Sequence, residues 1–195
     1  MFAYLNGKIA YKSPTVLHID CNGVGYLVNI SLNTYADIEH AEQTKLFIHF
    51  HVREDAQVLY GFSTEEEQQM FALLVSVSGV GVNTARLILS SLTTKELSQA
   101  IINEEVSLIQ TVKGIGPKSA KRLVLELKDK VQSIETLDAE PSSIGSANAI
   151  IKEAISALTM LGFGKSQSEK VINKVWKSNP TDNVEELIKL SLKNL

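Results

Sequence analysis

Gly79-Val80-Gly81 and Gly114-Ile115-Gly116 stand thirty-five positions apart, and each joins one apolar helical run to the next. Their chemistry is non-covalent. Glycine lacks Cβ, so its backbone can come close to an anion. The helix that follows offers unpaired N–H groups and the positive end of its dipole. A lone G-x-G is weak evidence, because glycine ordinarily ends a helix. Two copies in one frame are an internal repeat. Each is followed by small residues at equivalent places, Thr84-Ala85 and Ser119-Ala120, and by cations: Arg86 in the first copy, Lys118, Lys121 and Arg122 in the second. Pro117 takes the first helical position, where its missing N–H does no harm. Together with Asn83, these residues form a candidate phosphate grip, and both copies resemble the helix-hairpin-helix motif.

Other constellations allow more than one reading. Glu54-Asp55 lies between two strand-like runs. Such a pair is ordinary turn chemistry, but on a DNA-facing surface its charge would hold phosphates off. His49 and His51 share one strand face, with no further ligands at zinc-site spacing, which favours a solvated sheet face and no metal. Leu158, Leu161 and Phe163 flank Gly162 and are either core or partner-facing. Cys21 cannot form an internal disulfide, which fits a reducing cytoplasm. The chain shows no Walker loop, two-metal carboxylate cluster or nucleophile elbow, so no catalytic site and no cofactor are expected.

The elements that must position these residues change along the chain. Residues 1–63 read as β, with period-two alternation at Val24–Ile30 and Lys45–Arg53 and further strands near 2–12, 15–20 and 56–62. A short helix is expected near 34–40. Five short strands suggest a closed OB-type barrel. At Ser63-Thr64 the period turns helical, with Ser63 or Thr64 and Glu66 or Glu67 forming a capping box. Helices are expected over 64–77, 82–91, 94–103, 105–112 and 117–133, in an all-α domain spanning 64–133. Residues 134–146 are Pro-, Ser-, Gly- and acid-rich and read as a flexible linker. Residues 147–195 read as three helices, 147–161, 166–178 and 182–194, with Ser166 and Asp182 as caps. The fold class is therefore α+β and multidomain.

Composition is ordinary: 44% hydrophobic, 21% charged, net charge −3. No apolar run is long enough for a membrane span, and no secretory signal is visible. A negative chain does not bind nucleic acid by bulk charge. The cations are focused, with Lys113, Lys118, Lys121, Arg122, Lys128 and Lys130 against Glu126 and Asp129 across 106–134. Residues 141–195 hold 7 Lys/Arg and 5 Asp/Glu.

The run Val52-Arg53-Glu54-Asp55-Ala56-Gln57-Val58-Leu59-Tyr60-Gly61-Phe62, the two hairpins, the acidic linker, the small C-terminal unit and the early Gly7-Lys8-Ile9-Ala10 together resemble the RuvA family over the whole chain. Leu161-Gly162-Phe163 is similar to the loop of ubiquitin-associated three-helix domains. The resemblance implies a homotetrameric plate, one or two per junction, that holds a four-way (Holliday) DNA junction in recombination and repair. Gly79–Gly81, Asn83, Thr84, Arg86, Gly114–Gly116, Lys118, Ser119, Lys121 and Arg122 would contact the DNA backbone. Glu54 and Asp55 would be an acidic pin at the crossover. Leu158, Leu161, Gly162 and Phe163 would meet the hexameric ATPase RuvB, and the nuclease RuvC would be a further associate. The sequence departs from the family at Val82-Asn83, where Pro-Lys is common, and lacks an arginine in Ala3-Tyr4-Leu5-Asn6. Both departures shift weight to Arg86, Lys118, Lys121 and Arg122. Two other classes stay open: a hairpin-containing glycosylase or lyase, and a protein adaptor with structural hairpins.

Overall fold

The computed structural model describes residues 1–138, 146–181 and 183–195, with side chains for 1–131, 150–181 and 183–195. Two compact units divide between Thr136 and Leu137.

The first unit begins with five strands: β1 (Tyr4–Lys12), β2 (Val16–Cys21), β3 (Val24–Ile30), β4 (Gln43–Val52) and β5 (Gln57–Phe62). They close a barrel in the order β1-β2-β3-β5-β4. Every pairing is antiparallel except β3 with β5. Inward-facing Leu5, Leu17, Ile19, Val28, Ile30, Leu46 and Ile48 fill it. α1 (Leu32–Asp37) links β3 to β4; it begins and ends before the expected 34–40, because Ser31 caps it by accepting from the Thr34 N–H at 3.0 Å.

Five helices follow: α2 (Glu65–Ser76), α3 (Val82–Ser91), α4 (Thr94–Ile102), α5 (Val106–Gln110) and α6 (Pro117–Asp138). Their core, which includes Phe71, Leu74, Ile88, Leu89, Leu97, Ile101, Leu123 and Leu127, is continuous with Tyr60 and Phe62 of β5. Barrel and helices thus share a packed seam. His49 and His51 are half-buried beside this seam rather than on a fully solvated face. The His49 ring meets the Phe71 ring edge-on at 5.0 Å, and burial, then His51, push its pKa below the usual value. Among the described residues, no His/Cys/Asp/Glu group could hold a metal.

Thr64 caps α2 by accepting from the Glu67 N–H at 3.2 Å, but the expected capping box is only half made. The Glu67 carboxylate instead turns into the seam, where it is buried and accepts from Ser31 Oγ at 2.5 Å and Thr34 Oγ1 at 2.6 Å. A complete box forms at α4, between Thr93 and Glu96.

α6 runs past the expected end at 133, since no glycine or proline occurs before Pro141. Of the expected linker 134–146, residues 139–145 lie outside the described residues. The second unit holds α7 (Ser146–Met160), α8 (Lys165–Ser178) and α9 (Val184–Leu192) around Ile150, Ala154, Leu158, Ile172, Val175 and Leu187. α8 is capped by Gly164 rather than Ser166, because Ser168 N–H already bonds the Gly164 carbonyl at 2.9 Å. Asn183 caps α9, its side chain accepting from the Glu185 and Glu186 N–H groups; the expected cap Asp182 lies outside the described residues. Among the described residues, no helix is long and apolar enough to cross a membrane.

Candidate nucleic-acid interface

The two glycine turns are built alike. Gly79 and Gly114 both have φ +91°, the left-handed region in which a side chain is strained. Val77 N–H bonds the Leu74 carbonyl at 3.1 Å and Val80 N–H the Val77 carbonyl at 3.0 Å; thirty-five residues on, Val112 bonds Ile109 and Ile115 bonds Val112 at 3.3 and 3.2 Å. The following helices start identically, Ala85 N–H on the Gly81 carbonyl and Ala120 N–H on that of Gly116. Val80 and Ile115 point inward and are buried, as are Ala85 and Ala120. These apolar residues pin each turn to the shared core. The side chains of Val80 and Ile115 therefore face the core, and their amides serve the turn.

The amides that remain belong to the first turn of each helix, ahead of the first intrahelical bond. In α3 these are Gly81, Val82, Asn83 and Thr84; in α6 they are Gly116, Lys118 and Ser119. α2, α4 and α9 satisfy such groups with Thr64, Thr93 and Asn183 side chains. α3 has no side-chain cap. Gly81 has φ −81° and ψ 165°, a conformation open to any residue. A Cβ built on Gly81 or Gly116 meets nothing within 4 Å. Nothing inside the chain requires glycine at these two places. What glycine provides there is an unobstructed approach to a row of amides at the positive ends of two helices.

The cations are distributed unequally. Lys118, Lys121 and Arg122 stand exposed along the first turns of α6. Arg122 Nε also donates to Glu126 Oε1 at 2.6 Å, an i,i+4 pair that holds it along the helix. Lys128 pairs with Glu104, whose carboxyl this contact holds below the usual range. Arg86 differs from expectation. Its Nη1 donates to the Thr15 carbonyl at 3.3 Å and to Asn29 Oδ1 at 3.2 Å, tying α3 to the barrel rim. Asn83 is exposed; Thr84 and Ser119 are half-buried beside the turns.

Glu54 and Asp55 occupy the tip of the β4–β5 hairpin, closed by Arg53 N–H on the Ala56 carbonyl at 2.8 Å, and both are exposed. The inward row of β4 explains their position. Leu46 and Ile48 are buried, Phe50 is half-buried, and Val52 is 56% exposed. The hairpin runs out beyond the core on which it is built, so the two carboxylates stand clear of the barrel.

In the second unit, Gly162 has φ +99°. Phe163 N–H reaches the Leu158 carbonyl at 3.1 Å and Gly162 N–H that of Thr159 at 3.0 Å, the two bonds of a Schellman cap. Leu158 is fully buried and Phe163 packs on the same core. Of the four expected partner residues, Leu161 is the exposed apolar one, at 61%. Met160, 87% exposed beside it, follows Glu153 and Ser156 on the exposed side of α7 and not the buried row Ile150-Ala154-Leu158.

Three family models cover most of the chain: RuvA N-terminal domain over residues 1–61, SAM-like helix-hairpin-helix tandem over 71–129, and RuvA C-terminal domain over 149–195. The chain is 48% identical over 205 residues to a protein of Bacteroides thetaiotaomicron, 45% over 195 residues to one of Christiangramia forsetii, and 46% over 195 residues to one of Flavobacterium psychrophilum. Each comparison covers 100% of both chains, and each relative is named Holliday junction branch migration complex subunit RuvA.

Proposed function

The chain belongs to the RuvA family, and on that premise we propose that it binds four-way DNA junctions through their sugar-phosphate backbones, as a homotetrameric scaffold on which RuvB assembles for branch migration. The observation that carries this reading is the pair of matching turns, each presenting helix-terminal amides behind a glycine that the chain itself does not need. Amides read phosphate and sugar, not base edges, so selectivity lies in the shape of the DNA. The chain's part is binding rather than bond-making. A net charge of −3 is compatible with this role because several weak grips act together in a symmetric assembly. Leu161 and Met160 offer RuvB an apolar contact; RuvC is a further associate.

A gel-shift titration with four-way, three-way and linear DNA of equal length tests the reading. Four-way DNA should bind most tightly; equal affinity for the linear duplex would refute it. Lys118→Ala should weaken binding to every junction sequence alike. It should also flatten the slope of log K against log salt by about 0.9 for each phosphate no longer neutralised, one per subunit. Glu54→Gln with Asp55→Asn should leave junction affinity unchanged or raise it, since the pin opposes phosphate approach. A sharp fall in affinity would show that the carboxylates hold DNA rather than fend it off.

A further inference from the structure

We infer that the outward face of α8 is a second contact for the DNA backbone, made by Lys170, Lys174 and Lys177. This rests on the DNA-binding reading above. The three lysines are four and three residues apart, so they line one side of the helix. Over about 10 Å of helix axis that side holds Lys170, Asn173, Lys174 and Lys177, all exposed. Ser168, Ile172 and Val175 occupy the opposite, buried side.

Charged helix faces ordinarily mix signs, and some cations elsewhere in the chain pair with carboxylates: Arg122 with Glu126, Lys189 with Glu185, Lys128 with Glu104. Among the described residues, none of the three α8 lysines pairs with a carboxylate. Three like charges at these spacings repel one another. An anionic polymer laid along them removes that repulsion.

The face also says which polymer. It carries no apolar or aromatic residue, whereas the cores of protein interfaces are rich in these and poor in lysine. The exposed apolar pair Met160–Leu161 lies at the α7–α8 turn, before the lysines begin. The unit therefore has one surface suited to a protein and a different one suited to phosphates. Residues 141–195 hold 7 Lys/Arg and 5 Asp/Glu, so this stretch, like that around the second hairpin, is cationic within a chain of net charge −3. The unit is covalently attached to the hairpins, which raises its local concentration beside any duplex they hold.

The test uses the full-length chain carrying Lys170→Gln, Lys174→Gln and Lys177→Gln together, with four-way DNA at several salt concentrations. Affinity should fall several-fold at low salt, and the log K versus log salt slope should flatten by about 0.9 for each phosphate left unneutralised. Lys→Arg at the same three sites should restore both, and thermal melting should match wild type. Lys165→Gln with Lys193→Gln, off this face, should change neither. An unchanged slope in the triple Gln variant overturns the inference. Unchanged DNA binding with abolished RuvB association overturns it equally and assigns the face to a protein. Wild type failing to prefer four-way over linear DNA refutes the underlying reading instead, so the two failures are distinguishable.

Discussion

Gly81→Ser combined with Gly116→Ser should leave the protein as stable as wild type, or slightly more so, while reducing four-way junction affinity by roughly 100-fold. Serine is at least as good a helix N-cap as glycine. Gly81 and Gly116 have room for a side chain, and Gly81 has ordinary dihedrals, so folding has no objection. The serine hydroxyl, however, takes the third helical N–H for itself, and the new Cβ stands where a phosphate must come. Charge-assisted hydrogen bonds are worth about 1.5–3 kcal/mol each, so removing one per hairpin costs at least about 10-fold. Gly79→Ala is the contrasting control. Its φ of +91° makes any side chain strained, so that variant should lose about 1–2 kcal/mol of stability along with binding. The measurements are chemical denaturation and junction titration on the same samples. If the serine variants bind like wild type, the amide rows do not touch DNA.

Glu67→Ala should cost about 2–4 kcal/mol of stability in the first unit. It leaves the Ser31 and Thr34 hydroxyls without their buried acceptor and opens a void in the seam between barrel and helices. Burial pushes the Glu67 carboxyl above its usual range; the two hydroxyl donors oppose this and Asp37 adds to it. The sign of the pH effect follows. The folded protein holds this proton more tightly than the unfolded chain, so the contribution is fully present below the unfolded pKa, about 4.3. It is lost as pH rises through the higher folded value. Glu67→Gln has no such titration. Its stability relative to wild type should therefore improve as pH rises from about 4 and level off once the raised folded value of Glu67 is passed. A relative stability that stays flat or declines over that range would show that the carboxyl is not perturbed upward.

The hairpins were legible because their signals are local. A left-handed glycine, an inward apolar residue and a bare N-cap all fall within a few residues, and the thirty-five-residue repeat shows each twice. The barrel was legible from alternation, down to the inward row Leu46-Ile48. What the sequence did not reveal depends on partners distant in sequence. Glu67 lies in an acidic first turn that the helix dipole alone would explain; its true partners are 33 and 36 residues earlier. Arg86 follows a grip motif, yet its acceptors are 57 and 71 residues away on the barrel rim. His49 looks solvent-facing until Phe71 covers it. Leu158 and Leu161 are three residues apart and chemically alike, and only packing tells the buried one from the exposed one.

α6 is a single helix of 22 residues, from Pro117 at the second glycine turn to Asp138. At about 1.5 Å per residue it is a strut roughly 33 Å long. One end is rooted at the Gly114–Gly116 turn, and the other leads into the C-terminal unit. A load applied to that unit would thus enter the first unit along α6, whose Leu123, Val124, Leu127 and Val131 are buried in its core, and not at the glycine loops. The packing of this helix against the core would then bear a pull before either glycine turn does.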